Sequence, residues 1–295
     1  SYEGSLYSAA RNKAHPVRFD ARTYVRNDFS FLPSAVSSVR KPGFTTEVAR
    51  DFYVCDSYRD TILLDIKDSR LGRKGRYVYS CVNFILLKMM VEKQLERPMD
   101  QLLRDDFYKG LGAWHTTYNP LRVMDSLAIV PTEYDGFIRR QWLRGYVHDE
   151  AAAFQGGVSG NAGLFSNADD LAKVLQLFLD EGVYGGERYL SPETCRLFTR
   201  SKSPTCRRGL GFDKPALGNT KASPCGKLAP GSVYGHTGFT GTCFWVDPDN
   251  RLIYIFLCNR VNPSRANNKL ARLDIRTRVQ DAIYKAIDRK SQKDS

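Results

Sequence analysis

The sequence predicts an α+β protein: an antiparallel sheet with flanking helices, together with a mostly helical lobe. Two observations predict the sheet. Cys243-Phe244-Trp245-Val246 and Leu252-Ile253-Tyr254-Ile255-Phe256-Leu257-Cys258 are rich in aromatic and β-branched residues, as strands prefer. Between them Asp247-Pro248-Asp249-Asn250 carries turn chemistry, because proline presets φ and Asp and Asn bond their own backbone. A third observation predicts helices: apolar residues recur at helical spacing at positions 82, 85, 86, 89 and 90, and again from Leu171 to Leu179.

In chain order, residues 1–50 show weak periodicity and a Lys41-Pro42-Gly43 break, and read as an irregular, loop-rich segment. A loop this long is usually functional or covers something. Residues 51–227 read as a mostly helical lobe. Asp51 to Ile66 suggests a short helix, and Leu71 to Arg76 a basic turn. The stretch Tyr77 to Lys93 reads as a helix with Ser80 as a candidate cap, ended by Arg97-Pro98. Met99 to Leu111 reads as another short helix.

Residues 112–160 are loop-rich. Gly156, Gly157, Gly160 and Gly163 then fall within eight residues, a density that excludes helix and long strand and makes a tightly turned, small-walled surface. Such a wall suits a ligand cleft or a plain cluster of turns. Asn167-Ala168-Asp169-Asp170 opens a helix through Leu179, with acids in the first turn to suit the dipole and Gly182 to stop it. Ser191-Pro192-Glu193 opens another, with a Ser cap followed by Pro at the first helical position. Residues 201–233 read as loop. Residues 228–295 hold the hairpin and a terminal amphipathic helix over Leu270 to Ile287, with Leu270, Leu273, Val279, Ile283 and Ile287 on one stripe. The second strand, apolar on both faces, reads as central and covered.

Bulk properties narrow the function. The 295 residues suit one large domain or two lobes, and 42% hydrophobic residues allow a sizeable core. The net charge of +12 is unusual, yet no zinc-finger spacing, RNP motif or basic-aromatic run supports nucleic acid as a partner. No apolar run is long enough to span a membrane. Seven cysteines cannot all pair within the chain. Cys81, Cys243 and Cys258 lie in apolar runs and read as buried thiols, whereas Cys206 and Cys225 lie in loop and leave a bridge open. No CxxC occurs, so neither a zinc site nor another cofactor is expected. The sequence opens without an initiator Met, as a processed or excised piece would.

Three separated pieces share an order and spacing: Tyr79-Ser80-Cys81 at a helix start, Gly156 to Leu171, and His236-Thr237-Gly238 opening a hairpin strand. With Arg144 to Ala151, Arg208-Gly209-Leu210-Gly211-Phe212-Asp213 and Asn259-Arg260-Val261, the chain resembles the serine β-lactamase and penicillin-binding-protein-like superfamily over residues 40 to 288. Within it the likeness is to the class C, D-alanyl-D-alanine peptidase and esterase branch. More narrowly, it is to the C-terminal β-lactamase-like domain fused to bacterial glycoside hydrolase family 3 β-N-acetylglucosaminidases.

The resemblance implies one β-lactamase/transpeptidase-like domain and acyl transfer through a serine ester, by three motifs: Ser-x-x-Lys, Tyr-x-Asn and Lys/His-Thr-Gly. Tyr79 would relay the serine proton. His236, Thr237 and Gly238 would form the third motif, with the Phe239 N–H as half of an oxyanion hole. Gly157 and Gly163 would face the cleft. Cys81 stands where the second motif carries Asn or an acid, and a thiol donates weakly. The nucleophile is unknown: Ser38-Val39-Arg40-Lys41 is the one Ser-x-x-Lys present, and Pro42 behind it disfavours the helix that the motif needs. The resemblance therefore places the Ser-x-x-Lys helix upstream of Ser1.

Two functions follow as expectations. In the first, the chain is the C-terminal portion of a serine hydrolase acting on an amide or ester, such as a peptidoglycan peptide, and is inactive in isolation. It would reside in the periplasm or cell envelope, and its missing N-terminal segment or companion domain would cover an exposed apolar groove and sheet edge. In the second, it is a pseudo-enzyme attached to a glycosidase, binding cell-wall fragments.

Overall fold

The computed structural model describes residues 17–18, 24–25, 30–72, 74–75, 77–202, 206–219 and 223–291. The chain divides into two units, each assembled from separated segments. The first comprises residues 1–103, 117–165 and 262–266; the second comprises 104–116, 166–261 and 267–295.

In the first unit the segment read as irregular loop contains strands. Val36–Ser37 and Thr46–Ala49 both pair antiparallel with Phe52–Val54. The expected helix from Asp51 is therefore split: Asp51 turns the chain at φ 52°, Phe52–Val54 extends, and the helix runs Tyr58–Lys67. Aromatic and β-branched side chains favour the strand. Asp56 separates the two elements, accepting from the backbone N–H groups of Thr45 and Thr46 at 2.9 and 3.2 Å. The next helix, Val82–Leu95, ends at Glu96 in the left-handed region, φ 51°. Ile62, Ile66, Ile85, Val54, Ile138 and Phe154 are buried in one core, with the Tyr58 and Phe154 rings 5.0 Å apart.

The second unit is built on a three-stranded antiparallel sheet ordered Tyr234–Thr237, Cys243–Asp247, Leu252–Phe256. Strand alternation sends successive residues to opposite faces. Cys243, Trp245 and Tyr254 pack with Tyr284, Ile283 and Ile287 of the terminal helix. Phe244, Val246, Ile253 and Ile255 pack with Leu171, Leu175 and Leu179 of helix Ala168–Leu179. The central strand is thus Cys243–Asp247. Leu252–Phe256 lies at the sheet edge, and its apolar residues reflect the two covered faces.

Ser191 caps its helix as proposed, accepting from Thr194 N–H at 3.1 Å, and Asn167 at the expected helix start also caps, accepting from Asp170 N–H at 2.8 Å. The terminal helix differs from its expected form. Lys269–Arg272 is a separate turn, Asp274 adopts φ 50°, and Ile275–Ser291 restarts in a new phase. Leu273 and Val279, placed on the apolar stripe by uninterrupted spacing, are exposed, and Tyr284 takes the core position. Met99–Leu103 is helical, but Arg104–Tyr108 widens to a π-turn. All seven cysteines are free thiols, so Cys206 and Cys225 form no bridge.

Candidate active site

The His-Thr-Gly strand belongs to the second unit. His236 pairs with Phe244 and Thr237 with Cys243 across the sheet. Gly235 explains its own residue type: its backbone also bridges Asp213, with N···O distances of 3.0 and 2.7 Å, and a Cβ there would press on the Phe244 carbonyl and the Trp245 ring. Only glycine admits neighbours that close. After the strand, Gly238 N–H donates to Thr242 O at 2.8 Å and Gly241 N–H to Gly238 O at 3.1 Å, which closes the turn carrying Phe239.

Both nitrogens of His236 have partners. Nδ1 lies 2.8 Å from the Thr237 carbonyl, and Nε2 lies 3.0 Å from Nη1 of Arg208. A carbonyl only accepts and a guanidinium only donates, so Nδ1 carries the proton and Nε2 accepts. The imidazole is neutral and fixed in one tautomer. Burial pushes its pKa below the ordinary histidine value, and the Arg208 charge acts in the same direction against the Thr237 hydrogen bond. Arg208 is itself held by buried Asp213, 2.7 Å from its Nη2, and Asp213 also binds Arg207 through Nε at 2.7 Å and Nη2 at 2.9 Å. A charged chain thus stands behind the motif strand. Arg208 and Asp213 had no role assigned from sequence, and 28 residues of loop and strand separate Arg208 from His236.

The remaining candidates lie in the first unit. Tyr79 is 59% exposed on the extended approach to helix Val82–Leu95, and Cys81 is the residue flanking the helix start. The Ser80 hydroxyl accepts from Val82 N–H at 3.2 Å, but the N-cap position falls on Cys81, which makes no side-chain cap bond. Gly157 and Gly163 are buried, with φ of 81° and 112°. A Cβ on Gly163 would meet the Gly157 carbonyl, and one on Gly157 would meet the Asn119 side chain, whose Nδ2 donates to Gly156 O at 2.9 Å. The glycine wall is a backbone packed against itself. Ser38 is exposed on a bend and Lys41 on an isolated bridge to Phe44, with Lys41 Nζ 4.8 Å over the Phe44 ring. No helical turn aligns the two.

The first unit also holds a buried ionic cluster that sequence spacing did not show. Glu133 receives Arg265 through Nε at 2.9 Å, through Nη2, and through the backbone N–H at 3.1 Å. His148 Nε2 lies 2.9 Å from Glu133, and Glu150 lies 2.7 Å from Arg265. Burial pushes the Glu133 carboxyl up, but His148 and Arg265 outweigh it and hold it below the ordinary value. Nearby, Asp135 binds Arg139 at 2.6 Å and accepts from Phe137 and Ile138 N–H groups. Among the described residues no group of three or more His, Cys, Asp or Glu side chains is placed to hold a metal ion.

The α+β fold of helix-covered antiparallel sheet, with a His-Thr-Gly strand followed by a glycine-bounded turn, is that of a β-lactamase-like protein. Residues 58–277 match the Beta-lactamase family, and the chain belongs to it. A protein of Escherichia coli K12 provisionally named a D-alanyl-D-alanine carboxypeptidase is 36% identical over 238 residues, covering 73% of this chain and 54% of that protein. A Salmonella gallinarum protein of the same name is 36% identical over 210 residues, covering 67% and 48%. The chain therefore spans about half the length of the curated relatives it matches. Among solved structures, EstCE1, a hydrolase with promiscuous acyltransferase activity, is similar at TM-score 0.52 and 16% identity, covering 83% of this chain and 64% of that one. Simvastatin synthase from Aspergillus terreus is similar at TM-score 0.50 and 19% identity, covering 71% and 55%. These structures support the β-lactamase-like fold.

Proposed function

We propose that this chain supplies the second and third motifs of a serine acyl-transfer hydrolase that cleaves an amide or ester, with a peptidoglycan peptide as substrate. The observation that carries the reading is the His236-Thr237-Gly238 strand, whose imidazole is locked neutral between the Thr237 carbonyl and Arg208. A neutral, pinned ring does not shuttle protons; it holds the strand edge and leaves the Phe239 N–H to meet a developing oxyanion. Proton relay then falls to Tyr79, and acylation to a Ser-x-x-Lys element that this sequence does not contain in helical form.

A companion segment or domain fits this reading. Leu63, Leu64, Leu87, Met90 and Leu95 are exposed apolar residues on helices Tyr58–Lys67 and Val82–Leu95. Such surfaces are covered in stable proteins. The carboxypeptidase name of the relatives supports a cell-wall substrate and placement in the cell envelope or periplasm. Among the described residues no helix is long and apolar enough to cross a membrane.

Cys81 in the second motif favours a second reading: a cell-wall-fragment-binding pseudo-enzyme attached to a glycosidase. The full-length natural protein separates the two. Under the first reading, Tyr79→Phe lowers its hydrolysis of a p-nitrophenyl ester at least a hundredfold, in line with about 10²–10⁴ for a lost acid-base group. An unchanged rate removes Tyr79 from the mechanism. Absence of hydrolysis together with retained muropeptide binding establishes the second reading.

A further inference from the structure

The turn that follows the His-Thr-Gly strand is held by one arginine. Gly241 N–H donates to Gly238 O at 3.1 Å, so Phe239 and Thr240 are the two central residues of the turn. A trans peptide sets its C=O and N–H in opposite directions. With the Gly238 carbonyl turned inward to Gly241, the Phe239 N–H is directed out of the turn. The peptide between Phe239 and Thr240 is the one such turns can flip, since the type I and type II forms differ by its rotation. Arg260 holds both central carbonyls. Its Nε donates to Phe239 O at 2.9 Å, and its backbone N–H to Thr240 O at 2.9 Å. Its Nη1 donates to Asn267 O at 2.7 Å, and its guanidinium lies 4.7 Å from the Phe239 ring centre.

Each contact uses a different part of the residue. A planar guanidinium donates along two edges while its face stacks on a ring, which a compact ammonium group does not do. The turn itself is open to solvent, with Phe239 61% exposed. An exposed turn has few packed neighbours to fix its direction. An oxyanion donor has to be aimed before the reaction begins, and a misplacement of 1 Å costs about 10²-fold in rate.

We propose that Arg260 is a positioning residue: it locks the Phe239-Thr240 turn in one backbone form and so aims the Phe239 N–H at the developing oxyanion. It acts through the shape of its fork rather than through its charge, and it touches no reacting atom. The aiming role rests on the acyl-transfer reading; the hold on the turn does not.

Kinetics of the full-length natural protein on a p-nitrophenyl ester test the aiming. Arg260→Lys keeps the charge and loses the fork; Arg260→Gln loses both. Each is expected to lower kcat at least tenfold while KM stays within twofold, because the oxyanion charge exists only in the transition state. Thermal unfolding gives the folded fraction to which kcat is referred. A retained kcat in Arg260→Lys, or a loss carried by KM, overturns the proposal. Amide exchange of the purified, unaltered chain needs neither catalysis nor a variant. Corrected for intrinsic rates, the Gly241 amide is expected to exchange at least tenfold slower than the Asn219 amide, which closes a surface turn on Ala216 O at the same 3.1 Å. Equal rates show that the turn is not held and overturn the proposal. Slow exchange at Gly241 with no ester hydrolysis by the unaltered full-length protein overturns the aiming role together with the acyl-transfer reading, and leaves Arg260 as a clamp on the turn alone.

Discussion

Arg208 donates from Nη1 to Nε2 of His236 at 3.0 Å, and this contact fixes the protonation state of the third motif. A lysine in that motif would bring its own cation into the strand. Here the strand residue is neutral, and the positive charge stands beside it on an arginine anchored by Asp213.

His236 therefore titrates below the ordinary histidine pKa of about 6.5. Its depressed value makes folding favour the neutral ring, so this stability is present above the unfolded-state value and is lost as pH falls below it. Burial is the larger cause and Arg208 a smaller one, so Arg208→Gln is expected to raise the pKa only part of the way. Histidine NMR titration checks this. A His236 pKa at or above the ordinary value in the unaltered chain contradicts the assigned tautomer.

Asp135 is fully buried and held at about 2: Arg139 and the backbone N–H groups of Ile138 and Phe137 overcome its burial. Its contribution is present above the unfolded-state value of 3.8 and is lost as pH falls from there toward 2. Asp135→Asn leaves the Arg139 charge buried and is expected to cost about 3–5 kcal/mol. Urea unfolding measures the loss. A cost below 1 kcal/mol would show that Arg139 finds another partner.

Glu133→Gln removes one of the two carboxylates on Arg265 and leaves Glu150 at 2.7 Å. Arg265 lies 132 residues downstream, so the cluster ties the segment at 262–266 to the first unit. Because Glu150 remains as a counter-charge, the expected loss is smaller than for Asp135, about 1–3 kcal/mol, as for buried hydrogen bonds to a charged group. The segment should also gain faster amide exchange than the Val82–Leu95 helix. Uniform exchange across both would show that the ion cluster does not fasten it.

The parts legible in the sequence were those set by local chemistry. The hairpin around Asp247-Pro248-Asp249-Asn250, the helix start at Asn167 and the Ser191 cap each depend on residues a few positions apart. Thr46–Ala49 and Phe52–Val54 were missed because short strands joined by a turn at Asp51 carry too little periodicity to register. The break at Asp274 was missed because a positive φ on a non-glycine residue has no spacing signature. At the site, the motif residues were readable as a triplet. Arg208, Asp213 and the Glu133–Arg265 pair were not, since contacts spanning 28 and 132 residues come only from folding.

The chain belongs to the Beta-lactamase family, and under the proposed function no serine within it is the one acylated. The most direct measurement is the intact mass of the purified chain after incubation with a penicillin in excess. An unchanged mass at every incubation time is expected. A stoichiometric adduct of the penicillin mapped to Ser38, or to any other serine of the chain, would contradict it.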